Sequence, residues 1–202
     1  NFMKESRIPA VYISKTARNY DIYSVSTSNE NATYDMTKYL IENNHKDIAL
    51  IMTSKEDTIL EMERRRGYEA ALKDNNISVR NELIKYGNTD YEGGYNSMKE
   101  LIDQNIIPSA VFVTGDEAAV GAINAIFDSG YNVPEDISVA GFNDTKLAKI
   151  YRPKLTTVFQ PLFDMGAVSI RALIKIINGE TVEEKKIELP YQIMERESVT
   201  KK

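Results

Sequence analysis

The chain of 202 residues is 42% hydrophobic and 27% charged, with 10 glycines and 6 prolines, a balance that fits one large or two modest globular domains and excludes disordered, collagenous and low-complexity chains. It has no cysteine and a single histidine, which removes disulfides, thiolate metal sites and cysteine nucleophiles. A net charge of −5 argues against this chain being itself a nucleic-acid surface, because phosphate contact needs a concentrated basic face. No apolar run approaches the roughly 20 residues of a membrane helix, and residues 1–7 lack the apolar core of a signal peptide. The expectation is a protein of the cytoplasm with no membrane partner. The chain begins at Asn1 rather than Met, so a processed product or a piece of a longer gene product is expected.

Short β-branched runs alternate with amphipathic stretches, the pattern of helices packed on a parallel sheet. In chain order, strands are predicted over residues 10–14, 23–27, 47–53, 82–87, 110–114 and 137–142. Helices are predicted over 29–44, 58–75, 91–104, 116–129 and 161–178, with Gly130 and Gly179 as stop signals and Pro161 in a first turn. Residues 187–196 read as a final extended segment. Runs such as Ile48-Ala49-Leu50-Ile51-Met52 and Ala110-Val111-Phe112-Val113 are apolar throughout, so both faces of their sheet should be covered. The fold class is therefore α/β with a doubly wound parallel sheet. The first 20-odd residues and the helix from Pro161 fit that sheet poorly and point to a second lobe.

In an open parallel sheet the ligand crevice lies beyond the carboxyl ends of the strands. Three polar clusters follow strands there: Ser54-Lys55-Glu56-Asp57 with the helix carrying Arg64-Arg65-Arg66, then Thr114-Gly115-Asp116-Glu117, then Gly141-Phe142-Asn143-Asp144-Thr145. Arg64 lines up with Leu60, Tyr68 and Ala71, which puts a guanidinium on an apolar helix face while Arg65 and Arg66 point away. Such a group either forks onto a sugar hydroxyl or an anion, or pairs with a core carboxylate. Asp116, Glu117 and Asp144 either grip a small polar ligand on the same rim or only stabilise helix starts. Phosphate-loop, nucleophile-elbow and zinc-helix motifs are missing, Gly93-Gly94 belongs to a helix start, and His45 sits in a turn at the far end of the sheet in a structural role. No catalytic residue, metal or cofactor is expected. On the helix from Pro161, Asp164, Val168, Arg171 and Lys175 share one stripe, and the two cations suit either a phosphate or the carbonyl end of their own helix.

The segments Ser24-Val25-Ser26-Thr27-Ser28-Asn29-Glu30, Arg66-Gly67-Tyr68-Glu69-Ala70-Ala71-Leu72, Asp116-Glu117-Ala118-Ala119-Val120-Gly121, the run from Val133-Pro134-Glu135-Asp136 to Gly141-Phe142, and Arg152-Pro153-Lys154-Leu155-Thr156-Thr157 resemble the lactose/galactose repressor family in order and spacing. The likeness covers nearly the whole chain, and residues 160–175 are most similar to the family's catabolite-control branch. It implies a two-lobed core of type I periplasmic-binding-protein kind, usually a homodimer, preceded by a helix-turn-helix that meets operator DNA and lies outside this chain. Residues 24–157 and 182–202 would form the C-terminal lobe, and residues 1–23 and 158–181 would be remnants of an incomplete N-terminal lobe.

The resemblance implies an effector site at Arg64, Gly115, Asp116, Asn143 and Leu162. Gly115 stands where the family has a polar ligand and Asn143 where it has an aspartate, which takes a side chain and a charge from the site and favours a protein corepressor over a sugar. Phe163, replacing a usual tyrosine, and Asp164, Val168, Arg171 and Lys175 match positions that in the catabolite-control branch engage the phosphocarrier HPr phosphorylated on serine. Dimer contacts would fall on Val120, Ile123 and Tyr151. The expected function is the effector or corepressor core of a transcription regulator of carbon catabolism. A sugar-operon repressor answering to a sugar or sugar phosphate is the alternative, a transport binding protein a weaker one, and no enzymatic activity is expected.

Overall fold

Alternating apolar strands and amphipathic helices give the expected α/β layers in the computed structural model, which describes residues 8–14, 22–52 and 59–202. Its elements are β1 Val11–Ile13, β2 Tyr23–Ser26, α1 Asn29–Glu42, β3 Ile48–Met52, α2 Ile59–Asp74, β4 Ile84–Tyr86, α3 Tyr91–Asp103, β5 Ala110–Val113, α4 Asp116–Asp128, β6 Ser138–Asn143, α5 Lys146–Ile150, β7 Thr156–Phe159, α6 Leu162–Ile177, β8 Lys186–Glu188 and β9 Gln192–Met194. The chain divides into two compact units. A small unit comprises Asn1–Ser28 with Pro161–Tyr191, and a large unit comprises Asn29–Gln160 with Gln192–Lys202, so the backbone passes between them three times.

The large unit holds a six-stranded sheet in the order β4-β3-β5-β6-β7-β9, parallel except for β9, which runs antiparallel to β7. Every residue of β3 and β5 is buried, as strands covered on both faces require. On one face Ala49, Ile51, Val111, Val113 and Val139 join a cluster with Met98, Leu101, Ala119 and Ile123 from α3 and α4. Alternate residues point to the other face, where α1 and α2 pack together and the buried Tyr68 hydroxyl donates to the Ile48 carbonyl at 2.7 Å. α3 and α4 lie very close. A Cβ at Gly94 would sit 1.8 Å from the Ala118 carbonyl oxygen, and one at Gly121 would sit 2.0 Å from that of Tyr91. Gly93-Gly94 is thus a helix-contact feature at the start of α3, where Asp90 caps the Gly93 amide at 2.9 Å.

The small unit holds a three-stranded parallel sheet, β1-β2-β8, with α6 against β1 and β2. α6 buries Met165, Ser169 and Ala172. Three features of the predicted organisation change. The strand over 23–27 pairs with β1 and β8 rather than joining the large sheet, so the division falls after Ser28 and not after residue 23. The final extended segment is two strands in two different sheets, split at Pro190 and Tyr191, which moves the last crossing to Tyr191. No strand is predicted over β7, where the expected lobe boundary falls between residues 157 and 158; β7 pairs with β6 inside the large sheet, and the crossing follows Gln160. Strand partners are long-range choices that local alternation does not encode. The Thr-Thr pair of β7 and the polar turn of α5 carry too weak a pattern to be read from sequence.

Candidate functional site

Arg64 is where the spacing puts it. Its residue is 5% exposed, on the face of α2 that also buries Glu61, Tyr68 and Ala71. One guanidinium nitrogen, Nη1, donates to Glu61 Oε1 and to the Thr114 carbonyl, both at 3.2 Å, and the guanidinium carbon lies 4.4 Å from the centre of the Phe142 ring. The ion pair runs from i to i+3 with the acid first, the favourable order, and the aromatic face supplies further attraction for the cation. Burial pushes the guanidinium down from its ordinary pKa, while Glu61 holds it up. Nε is buried and has no hydrogen-bond partner among the described residues. An orphaned donor of this kind costs about 1–3 kcal/mol. Arg65 and Arg66 point outward to Glu69 and Glu30, as expected.

The contacts of Arg64 bring two of the three predicted clusters together. Thr114 leads into Gly115, which starts α4 with an extended backbone and offers no side-chain cap. Phe142 leads into Asn143, half-buried at the end of β6. The third cluster, Ser54 to Asp57, lies outside the described residues. Asp116 is 1% exposed and reaches across the sheet end: Oδ2 accepts from the Thr145 amide and Oδ1 from the Thr157 hydroxyl, both at 2.6 Å. Gly141 makes this possible, since a Cβ there would stand 2.7 Å from Asp116 Oδ1. Burial pushes the Asp116 carboxyl up, and nearby Asp144 adds to this, while the bonds from Thr157 and Thr145 pull it back. Asp144 is held by Arg196 Nη2 at 2.6 Å and by Lys149 Nζ at 3.1 Å. Asp116 and Glu117 both stand in the first turn of α4, but Asp116 and Asp144 are in addition parts of a buried clamp, whereas Glu117 is exposed. Sequence spacing placed Thr145 in its cluster without its bond to Asp116, and did not single out Thr157 or Arg196, because their partners lie far along the chain. The rim is thus held by a network of buried donors and acceptors.

Leu162, Phe163, Asp164, Val168, Arg171 and Lys175 belong to the small unit and sit together on α6. Phe163 is 86% exposed, Leu162, Asp164, Arg171 and Lys175 are exposed, and Val168 is half-buried. Of the expected dimer contacts, Ile123 is a correction: it is fully buried in the large unit's core, because helical spacing turns it with Ala119 and Ile126 toward the sheet. Val120 is 7% exposed. Tyr151 is half-buried, its hydroxyl bonded to Asn124, which in turn donates to the Tyr91 hydroxyl. Phe127 and Ile150 are the exposed apolar neighbours on the same helices. A separate cleft of about 800 Å³ lies along α2, lined by Glu30, Arg66, Glu69 and Lys73, away from the rim. His45 is buried, its Nε2 bonded to the Thr200 carbonyl at 3.0 Å. Among the described residues no group of His, Asp and Glu is placed to hold a metal ion, and no helix is long and apolar enough to cross a membrane.

Residues 37–199 match the family model for the periplasmic binding protein-like domain. Catabolite control protein A of Priestia megaterium is 36% identical over 196 residues, 97% of this chain and 59% of that protein. The chain belongs to the periplasmic binding protein-like family, in its LacI-type branch. Among solved structures of this branch, transcription regulator CcpA of Lactococcus lactis superposes with a TM-score of 0.91 at 34% identity, covering 98% of this chain and 72% of that one. A transcriptional regulator CelR–cellobiose complex superposes at 0.90 with 32% identity, covering 97% and 60%. The LacI-type chain described here thus spans about three fifths of the length of the first curated relatives it matches.

Proposed function

We propose that this chain is the ligand-sensing core of a dimeric, non-enzymatic transcription regulator of carbon catabolism, acting in the cytoplasm through an operator-binding segment outside the 202 residues. The observation that carries the sensing role is Arg64, a buried cation at the carboxyl end of the sheet whose Nε has no hydrogen-bond partner among the described residues, beside the uncapped start of α4 and the neutral Asn143. Ligand binding would shift the population between two dimer geometries, one of which fits the operator. Val120 and Tyr151, with exposed Phe127 and Ile150, are the proposed dimer face.

The ligand is either serine-phosphorylated HPr on α6 or a sugar or sugar phosphate at the rim formed by Arg64, Gly115, Asp116 and Asn143. The α6 stripe favours the first reading, since Arg171 and Lys175 are one turn apart and exposed beside an uncovered Phe163. Calorimetric titration of the full-length regulator with HPr, phosphorylated and not, decides it. Heat that requires the phosphoserine, and that vanishes when Arg171→Glu and Lys175→Glu are combined without lowering the melting temperature, is the expected result. Undiminished affinity in the double variant overturns the α6 site. Heat from a sugar alone makes the protein a local operon repressor.

A further inference from the structure

The rim turn has an unusual backbone. Asn143 and Asp144 are consecutive non-glycine residues with φ of 110° and 54°. Left-handed conformations are rare outside glycine, and a pair of them persists only where the surroundings over-determine it. Here the surroundings can be named. The amide of Thr145 is fixed by Asp116 at 2.6 Å, and the Asp144 carboxylate, 3% exposed, lies between two cations.

Those cations differ. The Lys149 side chain is 55% exposed and comes from α5 next to the turn, so it has other options in water. The Arg196 side chain is 13% exposed and is held at three points: Nη2 on Asp144 at 2.6 Å, Nη1 on the Leu155 carbonyl at 2.8 Å, and its own amide on Thr156 Oγ1 at 2.9 Å. A guanidinium fork can serve two acceptors at fixed angles, which an ammonium cannot do. Arg196 follows β9, the antiparallel strand on β7, so the segment that closes the sheet also grips the turn 52 positions earlier. The turn carries Asn143 and continues directly from Phe142, the ring under the Arg64 guanidinium.

We propose that Arg196 is a positioning residue for the ligand rim: through Asp144 it locks the left-handed Asn143-Asp144 turn and so sets Asn143 beside Phe142 and Arg64 without touching the ligand. The ligand part of this inference rests on the function proposed above, whereas the locking of the turn stands without it.

Two readouts on the full-length protein separate these parts. In peptide-resolved hydrogen exchange, Arg196→Gln should open the peptide spanning residues 141–150 about tenfold faster while peptides from α1 and α3 keep their wild-type rates. Arg196→Lys should fall between, and Lys149→Gln should stay within about twofold of wild type. Unchanged exchange at 141–150, or acceleration spread evenly over all peptides, overturns the proposal. Titration with cellobiose, glucose and glucose 6-phosphate gives the second readout. Arg196→Gln should weaken whichever of these the wild type takes by about tenfold, and an unchanged affinity beside a loosened turn overturns the ligand part. If the wild type takes none of them, the rim-ligand reading fails on its own, and the exchange data still decide whether Arg196 locks the turn.

Discussion

The two units treat apolar surface in opposite ways. The large unit puts helices on both sides of a six-stranded sheet, and the strand β3 at Ile48–Met52 is buried from end to end. The small unit has three short strands and one long helix, and that helix leaves Phe163, Ile170, Ile174 and Ile177 more than half exposed. These four recur at i, i+7, i+11 and i+14, almost opposite the buried Met165, Ser169 and Ala172. The large unit is therefore stabilised by its own core, while α6 carries apolar side chains whose burial within the chain is far from complete.

The contrast can be broken most severely at the α3–α4 contact. Gly94→Val has no room beside the Ala118 backbone and should cost more than about 4 kcal/mol, read as loss of the cooperative urea transition. A less drastic pair sharpens it. Ile51→Ala in β3 should lower stability by about 2–5 kcal/mol, whereas Ile174→Ala on α6 should change it by no more than about 0.5 kcal/mol, although both remove the same atoms. Equal losses in the two variants would mean that α6 is covered in solution. The smallest effect concerns pH. Burial pushes the His45 imidazole below its ordinary pKa of 6.5, with the Thr200 carbonyl opposing and Lys202 assisting. The folded state thus prefers the neutral ring, and its contribution is complete above pH 6.5 and is lost as pH falls below that value. His45→Gln should flatten the dependence of the urea midpoint between pH 5 and 7.

Much of this was legible before any coordinates. The apolar runs of β3 and β5 announced a sheet covered on both faces, and the i, i+4, i+8, i+11 line through Leu60, Arg64, Tyr68 and Ala71 placed a guanidinium in the interior. What local patterns lacked was partnership. Nothing in Tyr23–Ser26 tells whether it joins the large sheet or a separate one, and Ile123 reads equally well as surface or core on a helix as apolar as α4. The clamp around Asp116 escaped for the same reason. Thr145, Thr157 and Arg196 lie 29 to 80 positions from it, and polar residues spaced that widely carry no period.

The three passages of backbone between the units have a practical consequence for anyone cutting or rebuilding the gene. No single proteolytic nick can release one unit intact, because a cut at any one passage leaves the other two continuous. Producing the large unit alone would require starting at Asn29 and joining Gln160 to Gln192 through an added turn, since Phe159 and Gln192 are cross-strand partners and Gln160 by itself is too short to connect them, while discarding α6 altogether.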